Sequence, residues 1–236
     1  MAYHGVLMTY DRLDYRAAWD LQRTLLQERV DDRRADTLVL LEHDPVYTIG
    51  RTGQATHWGG DESRILQMGY PVYHVERGGS ITYHGPGQIV GYPILRLSRF
   101  CPGPKIYMRM LEEVLIRVLA DWGLTGQRIE KQPGVWVEHE DRAKIAAMGV
   151  RIVQDVTMHG FALNVSIDLS PFERIVPCGI QGCRVTSMAS LLGRPVDIHQ
   201  VRERIADVFG EVFKLEWTER VSDSETSRKT ARPTAG

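Results

Sequence analysis

The chain has 236 residues, of which 43% are hydrophobic and 25% charged, so it can bury a core as one large domain without disulfides. Its formal net charge of −1 excludes the strongly basic surface that nucleic-acid and membrane-surface proteins carry. Three unevenly spaced cysteines, Cys101, Cys178 and Cys183, argue for a reducing compartment. There is no signal-peptide pattern and no apolar run long enough to span a membrane, so the expected location is the cytoplasm.

The first part of the chain predicts one helix followed by strands. Apolar residues at helical spacing predict a helix over residues 13–28. Residues 37–42 form an apolar, β-prone run that predicts a central strand. A short helix is expected over residues 62–68, and residues 72–97 predict consecutive strands joined at glycines.

The second part predicts a helix, a meander and two more helices. Residues 105–121 carry apolar side chains four apart, and Gly123 follows the expected helix end. Residues 135–165 predict a meander of three strands. A short helix is expected over residues 185–192, and Asp197 is expected to cap a last helix.

These elements predict an α/β or α+β fold with a mixed β-sheet and flanking helices. One catalytic domain is expected over residues 1–217, and a small C-terminal lobe is allowed from about residue 171. Residues 218–236 are polar and lack periodicity, so we expect them to form a disordered tail.

The sequence Pro177-Cys178-Gly179 is the most informative short stretch. Proline stiffens the approach to the cysteine, and glycine lets a ligand come close to the backbone that follows. We interpret Cys178 as a nucleophile. The alternative is a small buried hydrophobic residue, which is what most free cysteines are.

Two adjacent glycines, Gly78 and Gly79, interrupt a β-prone run over residues 77–88. Glycines inside a strand pattern indicate that something approaches the backbone closely, here an apolar chain or a phosphate. A bulge before a hairpin turn explains the same pattern equally well.

A lysine and a histidine stand out in the predicted meander. If residues 142–149 form a strand, Lys144 shares a face with Ala146 and Met148, where it is either partly desolvated or extends to water. His159 could bind a ligand, catalyse, or simply hydrogen-bond in the core.

The run RGGSITYHGPGQIVGY over residues 77–92 resembles the signature of lipoyl(octanoyl) transferases. Further matches are GVWV, KI, GVRI, HGFALNV and PCGI, which begin at residues 134, 144, 149, 159 and 177. The resemblance covers roughly residues 5–215, nearly all of the globular chain.

The resemblance implies an acyltransferase of lipoate biosynthesis, with a fold similar to that of biotin and lipoate protein ligases. Such an enzyme takes an octanoyl or lipoyl group from acyl carrier protein through a cysteine thioester. The acceptors are lysines of lipoyl domains, in 2-oxoacid dehydrogenase complexes and in the H protein of glycine cleavage. A thioester is already activated, so no cofactor, ATP or metal is expected. No nucleic acid or membrane partner is expected either.

The resemblance also implies the site residues. The catalytic cysteine falls on Cys178, and the lysine that activates it falls on Lys144. Backbone N–H groups near Gly79 or Gly179 could hold an oxyanion. The implied acyl-binding residues form three segments: Arg77, Gly78, Gly79, Ser80, Ile81, Thr82, Tyr83 and His84; Ala147, Met148 and Gly149; and Gly160, Phe161 and Ala162.

Other readings stay open from the sequence alone. His159 is a candidate supporting residue, and His84 could orient the site or bind the acceptor. Cys183 lies outside the pattern and leaves open a redox partner for Cys178. An ATP-dependent ligase, a silent lipoyl-domain-binding protein, and a cysteine hydrolase with His84 or His159 as base are the competing functions.

Overall fold

The computed structural model describes residues 2–60, 63, 66–67, 69–139 and 141–222. The helices are α1 (Tyr15–Val30), α2 (Pro104–Asp121), α3 (Met188–Leu192) and α4 (Ile198–Phe213). The strands are β1 (Tyr3–Thr9), β2 (Asp36–Leu41), β3 (Val46–Ile49), β4 (Val72–His74), β5 (Ile81–His84), β6 (Gln88–Ile94), β7 (Gly126–Ile129), β8 (Gln132–His139), β9 (Asp141–Val153), β10 (Val156–Asn164), β11 (Arg184–Val185) and β12 (Leu215–Ser222). The two long predicted helices, the central strand and the meander are confirmed.

One large mixed sheet organises the chain, with strand order β12-β1-β2-β6-β10-β9-β8-β7. β1 is parallel to β12 and to β2, whereas the pairs from β2 through β8 are antiparallel. The short strand β11 runs parallel to β9. This mixed sheet with flanking helices confirms the predicted fold class.

Helices cover both faces of the large sheet. Apolar side chains of α2 and α4, such as Leu111 and Ile205, form the main core with the sheet. α1 contributes Trp19 and Leu25 to a second core on a different set of sheet residues. The carboxylate of Asp197 accepts a hydrogen bond from the His199 backbone N–H (2.9 Å), so the predicted cap of α4 is confirmed.

A small second sheet, β4-β3-β5, carries the glycine-rich stretch. The consecutive strands predicted over residues 72–97 are β4, β5 and β6, but they are divided between two sheets, because β6 belongs to the large one. The turn between β5 and β6 includes Gly87 at φ 87°, where an added Cβ would lie 2.6 Å from the Ile167 nitrogen. Only glycine fits this close crossing of two backbones.

Two expectations about the end of the chain are corrected. The tail was expected to begin at residue 218, but residues 218–222 belong to β12, where Ser222 pairs with Thr9. Residues 223–236 lie outside the described residues. The part after residue 171 has no core of its own: Met188 and Phe209 belong to the main core, and Phe172 and Ile175 belong to the core of the small sheet.

The short helix expected over residues 62–68 falls largely outside the described residues. Among the helices that the structure describes, none combines the length and apolar character needed to cross a membrane.

Candidate active site

A cavity of about 300 Å³ opens between the glycine-rich stretch and strands β9 and β10. It brings together most of the residues singled out from the sequence: Arg77, Gly78, Gly79, Ser80, Thr82, His84, Lys144, Ala147, Met148, Gly149, His159, Gly160, Phe161, Ala162 and Cys178. Ile81 and Tyr83 were predicted to bind the acyl chain but are not among the lining residues of this cavity. They alternate with the lining residues along β5 and pack into the core of the small sheet.

Cys178 sits on a strained turn. The 3₁₀ turn Pro177–Gly179 holds it at φ 58° and ψ 12°, a left-handed conformation that costs a residue with a Cβ on the order of 1–3 kcal/mol. The turn is closed by a hydrogen bond from the Gly179 N–H to the Val176 carbonyl (3.0 Å). Such strain persists only where the surroundings impose it, and it concentrates at functional sites.

Lys144 is a buried lysine of the cavity lining. Its side chain is only 3% exposed, so the desolvated alternative is the correct one. The ammonium donates to the Pro133 carbonyl (3.2 Å) and lies 4.6 Å from the centre of the Trp136 ring. Gly134 leaves room for this chain, since an added Cβ would lie 3.5 Å from the lysine Cε and 2.5 Å from the Ala146 carbonyl oxygen.

A β-bulge changes which side chains accompany Lys144. Trp136 pairs with Lys144 while the preceding Val135 pairs with Ala146, so Ile145 is an extra residue on β9. The alternation along β9 shifts by one at that point. Lys144 and Ala147 line the cavity, whereas Ala146 packs into the main core. The predicted shared face of Lys144 and Ala146 is therefore wrong.

The thiol of Cys183 lies near both Lys144 and Cys178 and is influenced by the charge of each. Burial raises the pKa of Cys183 to about 11, the positive charge of Lys144 opposes this increase, and Cys178 adds to it. Both groups therefore lie within electrostatic reach of the same thiol. A protonated Cys183 is a weak nucleophile, which argues against a role for it in the chemistry at neutral pH.

The side chain of Arg77 holds the glycine-rich loop in place through hydrogen bonds to Thr48 and Gly78. Its Nη2 donates to the carbonyl and hydroxyl oxygens of Thr48 (2.6 and 2.8 Å), and its Nη1 donates to the Gly78 carbonyl (3.0 Å). Burial lowers the pKa of Arg77, yet a guanidinium stays charged. The loop is also anchored to β9 by a hydrogen bond from the Gly78 N–H to the Val150 carbonyl (3.0 Å).

His84 belongs to a buried polar chain and is uncharged. Its Nδ1–H donates to the Gln88 amide oxygen (2.7 Å), and the Gln88 amide nitrogen donates to the Asn164 side-chain oxygen (2.9 Å). Nε2 faces the Thr48 hydroxyl at 3.3 Å. Burial holds the pKa of His84 well below its ordinary value, so the ring is neutral at physiological pH.

His159 is also neutral, because burial lowers its pKa to about 3. It adopts a left-handed backbone (φ 59°) within β10, and its N–H donates to the Gln22 side-chain oxygen (3.0 Å). Its Nε2 is buried without a hydrogen-bond partner among the described residues. A ring with so low a pKa is a poor general base near pH 7.

The sequence analysis missed several residues at this site. Tyr15 and Tyr92 line the cavity. From the sequence, Tyr15 was predicted only to be part of a helix. His57, in the 3₁₀ turn Ala55–Trp58, places its Nδ1 2.6 Å from the Ser80 hydroxyl. No local pattern marks it, because its neighbours at the site come from other parts of the chain.

The fold is that of lipoate protein ligases. A bipartite lipoate protein ligase from Thermoplasma acidophilum superposes with a TM-score of 0.69, at 18% identity, over 95% of this chain and 90% of that one. LipL1 of P. falciparum, in complex with lipoate, gives a TM-score of 0.71 at 12% identity, over 97% and 69% of the two chains.

The chain belongs to the lipoyl protein ligase A/B catalytic domain family, whose model matches residues 14–210. Similar curated relatives are named octanoyltransferase. The one from Alkaliphilus metalliredigens is 42% identical over 92% of this chain and 99% of its own length. The one from Thermobifida fusca is 49% identical over 80% of each chain. The family resemblance seen in the sequence is confirmed.

Proposed function

We propose that this chain is an acyltransferase that moves an octanoyl group from acyl carrier protein to the acceptor lysine of a lipoyl domain, through a thioester on Cys178. The activity is that of the curated relatives, which are named octanoyltransferases. The observation that carries the mechanism is the strained turn of Cys178 beside a cavity that also holds the buried ammonium of Lys144.

The cavity suits a medium-length acyl chain. Its volume lies at the lower end of the range for small-molecule sites, about 300–1,000 Å³. Small residues leave room along β9 and β10, among them Ala147 and Ala162. Burial of the methylenes of an octanoyl chain contributes roughly 0.8 kcal/mol each, so binding relies mainly on apolar burial.

Two half-reactions follow from this arrangement. The Cys178 thiolate, stabilised by the Lys144 ammonium, attacks the thioester carbonyl, and the carrier leaves as a thiol that has taken the proton of that ammonium, so Lys144 becomes neutral. The acceptor amine then attacks the acyl-enzyme, and the Cys178 thiolate leaves as the amide forms. The amine must lose protons in this step, and we assign Lys144 in its neutral form as the base.

Two competing functions are less well supported by the geometry. An ATP-dependent ligase needs cations free to bind phosphate, but the arginine of the glycine-rich loop, Arg77, is committed to Thr48. A cysteine hydrolase needs a histidine base, but His84 and His159 are both held neutral with lowered pKa values. Incubation with free octanoate and ATP tests the ligase directly, because only a ligase forms product from these substrates.

The proposed acceptors are lipoyl domains of 2-oxoacid dehydrogenase complexes and the H protein of glycine cleavage. We also propose a cytoplasmic location, which suits three cysteines that are all free thiols.

The decisive experiment is a peptide mass map after exposure to octanoyl-acyl carrier protein. We expect an octanoyl adduct on Cys178 that disappears when a lipoyl domain is added. Cys183→Ser and Cys101→Ser should keep the adduct, and Cys178→Ser should lose both adduct and transfer. An adduct confined to Cys101 or Cys183, or transfer that survives Cys178→Ser, would contradict the mechanism.

A further inference from the structure

His57 lies against the turn that carries Cys178. Its carbonyl oxygen accepts a hydrogen bond from the Val176 N–H (2.7 Å), which ties its segment to the chain entering the turn. Its ring packs on Gly179, where an added Cβ would lie 2.9 Å from Cε1 and 3.3 Å from Nε2. Glycine at 179 is therefore what lets this imidazole approach the residue after the nucleophile.

The hydrogen bonds of the ring determine where its proton lies. Nδ1 accepts a hydrogen bond from the Gln54 backbone N–H (3.3 Å), because a backbone N–H can only donate. Nδ1 is therefore the unprotonated nitrogen, and the Ser80 hydroxyl at 2.6 Å donates to it as well. In the neutral ring the proton is then on Nε2, one of the two ring atoms that face Gly179.

We propose that His57 is a further catalytic residue, whose Nε2–H donates a hydrogen bond to the acyl carbonyl oxygen during attack by Cys178. This inference rests on the proposed function. As the sulfur–carbon bond forms, the carbonyl π pair moves onto oxygen. When the carrier's thiolate leaves, that pair returns and the carbonyl is restored. A donor fixed beforehand at the developing oxyanion stabilises it without reorganisation.

The position of the proton on the His57 ring favours a role as hydrogen-bond donor over a role as general base. A base beside Cys178 needs a free lone pair on the nitrogen that faces the turn, whereas Nε2 carries the proton. Moving the proton to Nδ1 would break the hydrogen bond from the Gln54 N–H. The same fixed geometry holds for the second half-reaction, in which the amine attacks the acyl-enzyme and the same oxygen again becomes negative.

Two substitutions distinguish the two ends of the ring. His57→Asn places an acceptor oxygen near the position of Nδ1, so it can keep the Ser80 contact, but it ends short of Nε2. His57→Gln places an amide N–H near the position of Nε2. With octanoyl-pantetheine as the acyl donor, we expect His57→Asn to lower the rate of Cys178 acylation about 100- to 1,000-fold with little change in KM. We expect His57→Gln to recover at least tenfold of that loss.

Alkylation of Cys178 by iodoacetamide provides the control, because that reaction forms no carbonyl oxyanion. We expect the same alkylation rate in the wild type and in both variants. Normal acylation in His57→Asn would overturn the inference. Equal slowing of acylation and alkylation would also overturn it, because His57 would then only position the thiol. A wild type that forms no octanoyl-Cys178 would instead overturn the proposed function.

Discussion

Replacing Lys144 by methionine should separate stability from activity. The substitution removes a hydrogen bond to the Pro133 carbonyl, worth about 1.5–3 kcal/mol for a charged donor. It also removes the cation–π contact with Trp136, worth about 0.5–2 kcal/mol. Against these losses, a buried ammonium carries a desolvation cost of several kcal/mol that methionine does not. We therefore expect the free energy of unfolding to fall by no more than about 1 kcal/mol, or to rise.

The same substitution should impair the chemistry. Lys144 and Cys178 line the same cavity, and a nearby positive charge favours a thiolate, so Cys178 alkylation at neutral pH should slow by about tenfold or more. Lys144→Arg should keep much of the fast alkylation, because the charge remains. Transfer to a lipoyl domain should stay impaired in that variant, since a guanidinium cannot act as the base.

The assays are urea unfolding, iodoacetamide alkylation against pH, and single-turnover transfer from preformed octanoyl-enzyme. Lys105→Met, at an exposed position of α2, is the matched control and should change none of the three. An unaltered alkylation profile in Lys144→Met, together with normal transfer, would refute the catalytic role. A loss of stability above about 3 kcal/mol would refute the claim that desolvation offsets the contacts of this ion.

Two further predictions concern the cavity and two buried histidines. Ala147→Leu should lower octanoyl transfer more than tenfold and leave hexanoyl transfer unchanged, because each methylene group excluded from the cavity costs about fourfold in binding. Equal loss for both chain lengths would contradict this, as would a loss in the control Ala17→Leu, at an exposed position. Burial lowers the pKa of His43 to about 4 and of His159 to about 3, so only the unfolded chain takes up these protons below about pH 6.5. The free energy of unfolding should therefore be highest above pH 6.5 and should fall by up to about 1.4 kcal/mol per pH unit for each histidine as the pH decreases towards 4. A midpoint of urea unfolding that stays constant from pH 7.5 to 5 would contradict this.

Much of the fold followed from periodicity, because the long helices and the meander have strong, uninterrupted patterns. The helical spacing of Val201, Ile205, Val208 and Val212 predicts the core face of α4; the first three are buried, and Val212 is half-buried against the same core. β12 was missed because its exposed side chains are polar and its backbone is fixed by pairing with β1, at the other end of the chain. Long-range pairing of this kind leaves no local pattern in a polar segment.

The site was predictable only in part. Cys178 and Lys144 stood out in the local sequence, their catalytic roles as a pair came from a family resemblance, and the structure adds why they differ from ordinary residues of their types. The burial of Lys144 depends on a bulge at Ile145 and on the space beside Gly134, and neither could be derived from the alternation of β9. His57 had no signal, because its partner Ser80 is 23 residues away and reaches it only through the small sheet.

Main-chain hydrogen bonds fix the Cys178 turn relative to the strand that carries Lys144. After the Cys178 turn the chain returns as β11, in which Val185 pairs with Lys144 in parallel register. The next residue, Thr186, donates its N–H to the Lys144 carbonyl (3.0 Å), and its own carbonyl accepts from the Asn164 side chain (3.0 Å). The loop between Cys178 and β11 is therefore fixed at both ends, by the His57 carbonyl before the turn and by β9 after it. Because backbone hydrogen bonds hold both ends, the position of the Cys178 turn does not depend on the charge of Lys144.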